Sequence, residues 1–228
     1  MNLAYLTYLL SLVGLLAILG ISFNLLAGFT GMSNLGQPGL FLVGAYATVL
    51  LQMKLGVPIP LALVAGAAAG SVAAVLLSLL IRRARGDVVA VMGMWFMFIM
   101  VVVALNWIAL TRGALGIPGI VRPELFETSG RFLFLIMLSV AITYGLVYRI
   151  VCSPFGRVLG AVRDDELAAE TLGKNVFKAR VIAFAISGAL AGLGGGLFAY
   201  FYRFIDPVSF YISTLIMILT IVRKHHVS

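Results

Sequence analysis

The chain has 228 residues, of which 62% are hydrophobic and only 11% charged, with a formal net charge of +8 and a mean hydropathy of +1.13. A soluble domain carries roughly 45–50% apolar and about 25% charged residues, so the composition excludes an ordinary soluble fold and points to a membrane protein. The basic residues sit in short clusters between apolar runs rather than interleaved with aromatics, which argues for interfacial loops and against nucleic acid.

A spanning helix needs roughly 20 mostly apolar residues. Leu3–Ala27 supplies the first, and without a basic leader region it reads as a retained helix rather than a cleaved signal. GFTGMSNLGQPG, residues 28–39, follows: uncharged, but rich in Gly, Ser, Asn and Gln. Such backbone at membrane depth needs protein or a water cavity to cover it, and broken helices there often build substrate sites. Asn24, Ser33, Asn34 and Gln37 are the candidate hydrogen-bonding groups of a substrate path; the alternative is a plain interfacial loop.

Leu40–Met53 is apolar but short, and Pro60–Ile81 is a clear span ending on Arg82, Arg83 and Arg85. Val88–Leu110 spans again. Thr111–Gly130 is a loop whose ALGIPGIVRP stretch, residues 114–123, reads as a rigid cap or a landing surface for an external partner. Arg131–Val151 and Val176–Tyr202 are further spans, separated by a polar stretch, 153–175. Val208–Val222 begins a last span before RKHHVS. The count is about six to seven spans in a single all-α transmembrane domain, residues 1–228.

Arg82, Arg83, Arg85, Arg149, Arg157, Arg163, Lys174, Lys178, Arg180, Arg223 and Lys224 fall on one side; Lys54, Arg112, Arg122, Arg131 and Arg203 fall on the other. Eleven against five places the loops at 82–87 and 152–180 in the cytoplasm.

The stretch RDDELAAETLGKN, residues 163–175, holds four of the eight carboxylates. Ser153-Pro154 is a helix start, and Phe155, Val158, Leu159 and Val162 form one apolar stripe. The stripe breaks near Arg163–Asp164, where Asp164 can cap a second short helix with Asp165 and Glu166 in its first turn. Leu167, Ala168, Thr171 and Leu172 make its less polar face, and Gly173 ends it. Adjacent carboxylates on a helix diverge and no histidine supports them, so catalysis or metal binding is disfavoured. A solvated interfacial helix or a docking element for a cytoplasmic partner remains.

Gly188, Gly192 and Gly196 recur at i, i+4, i+8 on one helix face and read as close helix packing, a theme that Gly66 and Gly70 repeat. No GxGxxG follows a strand and no GxxxxGK[ST] occurs, so an ATP-driven function needs an ATPase on another chain. Cys152 is the single cysteine, and His225 and His226 are the only histidines, which leaves no metal set.

Several of these blocks resemble the permease subunits of branched-chain amino acid ABC importers, of the type with the longer external loop. They are FNLLAGFTGMSNLGQPGLFLVGAYATVLL with Gly44-Ala45-Tyr46, RRARGDVVAVMGM, GIPGIVRP, FIDPVSF and, most specifically, residues 153–200. The resemblance implies that Glu166, Leu167, Ala168, Ala169, Glu170 and Gly173 form an ATPase-coupling segment. It implies a second permease subunit, two ABC ATPase subunits that carry ATP and Mg, a periplasmic substrate-binding protein and a multi-pass place in the bacterial inner membrane lipid. This chain itself is expected to bind no cofactor, no metal and no nucleic acid and to be no enzyme. The implied substrate is leucine, isoleucine or valine, moved by alternating access; urea or another small amide is the alternative. A stand-alone secondary transporter would need acids inside its spans, and the eight acids map to loops or helix ends. Family members continue beyond LIMILTIV, so a C-terminus cut short after residue 222 is the expectation.

Overall fold

The computed structural model describes residues 3–82, 84, 87–122 and 126–210; the expected span from Val208 lies, beyond Phe210, outside the described residues. Helices account for most of it: α1 (Leu3–Ala27), α2 (Gln37–Leu55), α3 (Ile59–Leu80), α4 (Asp87–Asn106), α5 (Ile108–Thr111), α6 (Ser129–Val151), α7 (Pro154–Asp164), α8 (Glu166–Thr171) and α9 (Val176–Tyr202). Among the described residues, six helices are long and apolar enough to cross a membrane: α1, α2, α3, α4, α6 and α9. The chain is thus an all-α polytopic bundle. The expected span 88–110 ends at Asn106, and α5 follows as a separate turn.

α9 is the axis of the bundle, packed by α1, α2 and α3. Leu15, Ile18, Leu40, Ala45, Ala183, Phe184 and Leu197 are buried along it. Glycine permits the close approach. A Cβ on Gly192 would stand 2.5 Å from the Gly66 carbonyl oxygen and 3.2 Å from Ala67 Cα; one on Gly44 would meet the Gly192 backbone. Gly188 meets Gly70, and Gly196 lies against Thr48 and Leu63. With lipid tails as apolar as the side chains, such backbone-to-backbone packing is what holds helices together. α6 is peripheral and docks mainly on α1; Phe134, Ile142 and Tyr148 face outward from it.

At the end opposite α7 and α8, the loop after α5 is stitched to the end of α9. β1 (Ile117–Pro118) and β2 (Phe204–Ile205) pair antiparallel, Ile117 opposite Ile205 and Pro118 opposite Phe204. Arg122 donates from Nε to the Tyr200 carbonyl at 2.9 Å and from Nη2 to that of Phe201 at 2.6 Å. Its guanidinium lies 4.5 Å from the Phe132 ring centroid. Positive charge at a helix C-terminus satisfies carbonyls that have no partner in the helix. Burial, and then Arg203, lowers the Arg122 pKa, yet a guanidinium stays protonated at physiological pH. Arg122→Ala is expected to loosen this cap and speed limited proteolysis of the 113–122 loop by about tenfold, since charged hydrogen bonds contribute roughly 1.5–3 kcal/mol each. Arg122→Lys is expected to recover only part, because an ammonium lacks the fork that spans two carbonyls.

Candidate functional site

Two features stand out: a polar tie inside the bundle and a helix pair at its basic end. The tie begins where α1 ends. Residues 28–36 turn back into the bundle with Gly28, Thr30, Met32, Asn34 and Gly36 buried and Gly31 and Ser33 exposed. Thr30 N–H and Oγ1 both donate to the Leu26 carbonyl, at 3.1 and 2.7 Å. Gly36 N–H donates to Asn34 Oδ1 at 3.0 Å. A Cβ on Gly36 would stand 2.6 Å from the Gly93 carbonyl oxygen, so α4 crosses the segment at a glycine pair.

α2 therefore starts deep in the bundle. Gln37 Nε2 donates to Ser22 Oγ of α1 at 2.6 Å and to Ser187 Oγ of α9 at 2.9 Å. Ser187 Oγ donates to the Ser22 carbonyl at 2.7 Å, and Asn34 Nδ2 lies 3.4 Å from Gln37 Oε1. All four side chains are fully buried. Ser187 is eleven residues past Val176, where α9 begins, so at about 1.5 Å per residue α2 starts about 16 Å along α9. The structure divides the four expected polar candidates. Asn34 and Gln37 join in the tie, while Asn24 and Ser33 are exposed on the bundle surface. Ser22, Ser187 and Gly93 were not singled out from the sequence. Gly93 is the single glycine of α4, but α1 also carries Ser11 and Asn24 and α9 has five glycines, so residue type alone marks Gly93 and not the two serines.

The helix pair is built by capping. Ser153 Oγ accepts from Gly156 N–H at 3.4 Å ahead of Pro154, and the α7 stripe buries Leu159 and Val162. The second cap is Asp165, not Asp164: α7 runs one residue further, and extended Asp165 accepts from Leu167 N–H at 2.9 Å and Ala168 N–H at 3.1 Å. α8 ends in a Schellman turn, with Gly173 N–H donating to the Glu170 carbonyl, Lys174 N–H to that of Ala169, and Gly173 at φ +74°. Asn175 Oδ1 then caps α9 by accepting from Lys178 N–H at 2.8 Å.

The inward face of α8 differs from the expected one. Ala169 is buried with Val162 and Val176, and Glu166 pairs with Arg180 at 2.6 Å. Leu167 and Leu172 are instead 59% and 75% exposed, and Ala168, Glu170 and Gly173 are also exposed. Ala169 is the residue of this six-residue helix that is buried, against Val162 of α7 and Val176 of α9, with Val158 packed beside them. Of the coupling residues named from the sequence, Ala169 and Glu166 thus hold α8 in place, and Leu167, Ala168, Glu170 and Gly173 present its surface.

Residues 5–222 match the family model for the branched-chain amino acid transport system / permease component. The chain is 32% identical over 236 residues to the high-affinity branched-chain amino acid transport system permease protein LivM of Salmonella typhimurium, and 31% identical to that of Escherichia coli. Both matches cover 90% of this chain and 55% of the relative. It is 28% identical over 190 residues to the guanosine ABC transporter permease protein NupQ of Bacillus subtilis, covering 75% of this chain and 59% of that protein. The chain thus spans little more than half the length of these relatives. No solved structure matches it. The re-entrant segment, the glycine-packed bundle and the capped helix pair belong to a chain of the branched-chain amino acid transport permease family.

Proposed function

We propose that this chain is a membrane-spanning subunit of an ATP-driven importer of the bacterial inner membrane, and that α7 and α8 seat an ABC ATPase. The observation that carries this reading is the surface of α8: two leucines exposed at the basic end, on a helix fixed at both ends by Asp165 and Gly173. Exposed leucines on a rigid polar helix suit burial against a partner. By the excess of Lys and Arg, that end faces the cytoplasm, where ATP is bound by the partner chain. The opposite end, with Leu115, Val121 and Phe204 exposed, meets a periplasmic substrate-binding protein.

The pathway lies between this chain and a second permease subunit, along the face that carries Asn24 and Ser33. Asn24 is two residues past Ser22, hence at the depth of the buried tie, where an exposed amide is unfavourable against lipid. Asn34 and Gln37 set the wall behind it. The substrates are leucine, isoleucine and valine; a path with uncharged polar groups suits zwitterions with apolar side chains.

Two measurements test this. In proteoliposomes holding the assembled importer, uptake of radiolabelled leucine is expected only with ATP hydrolysis; uptake driven by an ion gradient alone would contradict the reading. Gly173→Pro and Ala168→Trp are expected to lower ATPase co-purification about tenfold, the effect of losing about 1.4 kcal/mol, with membrane insertion unchanged. Both variants retaining the ATPase in full would remove the docking role.

A further inference from the structure

α7 does more than lead into α8. Arg163, next to its last residue, donates from Nη1 to the carbonyl of Gly28, where the re-entrant segment begins. The segment then folds onto the arginine stem. A Cβ built on Gly31 would stand 3.2 Å from Arg163 Cγ and 3.8 Å from both its Cα and Cβ. Gly31 has φ +70°, so glycine serves both the turn and the close approach. Three residues on, Asn34 enters the buried tie that holds the start of α2. On the other side, Arg163 is two residues from Asp165, whose carboxylate fixes the first turn of α8. A second attachment runs in parallel: Glu166 of α8 pairs with Arg180 of α9, seven residues before Ser187 of the same tie.

We propose that Arg163 is a positioning residue that makes α7–α8 and residues 28–36 move as one body, so that movement of the docked ATPase reaches the start of α2. This rests on the reading that α7–α8 seats an ATPase. Side-chain contacts that join two elements rigidly transmit displacement; Arg163 makes a direct side-chain bond between the helix pair and residues 28–36, whereas the Glu166–Arg180 pair reaches the tie by way of α9.

The test replaces the contact by a covalent bond. A Cβ–Cβ separation of 3.8 Å is near the mean for a disulfide. Gly31→Cys with Arg163→Cys, in a Cys152→Ser background, is assembled as full-length protein with its ATPase and partner subunits in proteoliposomes. ATP hydrolysis and leucine uptake per ATP are read in reductant and after oxidation. A cysteine at φ +70° costs about 1–2 kcal/mol, equally in both redox states. The reduced pair, and Arg163→Gln alone, are expected to keep the ATPase bound and hydrolysing while uptake per ATP falls about tenfold; oxidation of the pair is expected to restore it to within about threefold of the background. Coupling unchanged in Arg163→Gln, or uptake lower after oxidation than before, would overturn the rigid link. A background protein that binds no ATPase would instead remove the docking reading, and the link with it; co-purification separates that failure from the others.

Discussion

Gly192→Leu is expected to leave almost no folded protein. The α9 backbone at Gly192 faces Gly66 and Ala67 of α3, while the Cβ position of Gly44 on α2 is filled by the Gly192 backbone itself. Three helices meet there without an intervening side chain. A leucine must push α3 away from α9, and the neighbours in its way are carbonyls and Cα atoms, which cannot rotate aside. Overpacking usually costs about 1–3 kcal/mol and more where backbone must move, and here the upper end is expected. Thermal unfolding of detergent-purified protein, with the yield of monodisperse material, reads the effect. Gly145→Ala is the control: that glycine is exposed on α6 and its added Cβ would meet nothing within 4 Å. It is expected to be neutral or to stabilise by up to about 1 kcal/mol. Equal damage from both substitutions would show that helix propensity, not close packing, sets the stability.

Gln37→Glu is expected to be the next most damaging change, and worse than Gln37→Leu. The Gln37 amide donates to Ser22 Oγ and Ser187 Oγ, and both hydroxyls already direct their own hydrogens at carbonyls, of Leu19 and Ser22. Leucine removes these two hydrogen bonds and the longer one that Asn34 Nδ2 donates to Gln37 Oε1, but leaves each serine its donated bond, a loss of about 1–3 kcal/mol. A carboxylate has no hydrogen to give, meets two oxygens, and places charge at membrane depth, where an acid costs roughly 2.5–3.5 kcal/mol. Lowering the pH protonates it and supplies one donor, so Gln37→Glu should recover part of its stability in acid while Gln37→Leu should not. A pH-independent difference between the two would point to shape rather than charge.

The spans were legible because a membrane imposes one simple rule on composition: α1 and α9 begin and end where the apolar runs do. The capped helix pair was legible for a similar reason, since Ser153-Pro154, the break before Glu166 and Gly173 are local signals. What the sequence could not supply was direction. Ala168 and Ala169 look alike on paper, and only the packing of Val162 and Val176 turns Ala169 inward. The cap moved from Asp164 to Asp165 because α7 continues through Arg163 to Asp164, and the Arg163 side chain reaches Gly28, 135 residues earlier. The division of Asn24 and Ser33 from Asn34 and Gln37 is likewise set by distant partners, Ser187 above all, 150 residues from Gln37. The pairing of β1 with β2 depends on the end of α9 meeting a loop more than eighty residues before it.

Site-directed cross-linking tests the docking of an ATPase on α8 most directly. Single cysteines at Leu172, 75% exposed at the basic end, and at Leu115, 78% exposed at the opposite end, are placed in a Cys152→Ser background and treated with a short bifunctional reagent in membranes that also hold the ATPase. Cross-linking of the ATPase from position 172 and not from 115 is the expected result. An ATPase that cross-links from 115, or from neither position while it co-purifies with the chain, would contradict the assignment of α7–α8 as its seat.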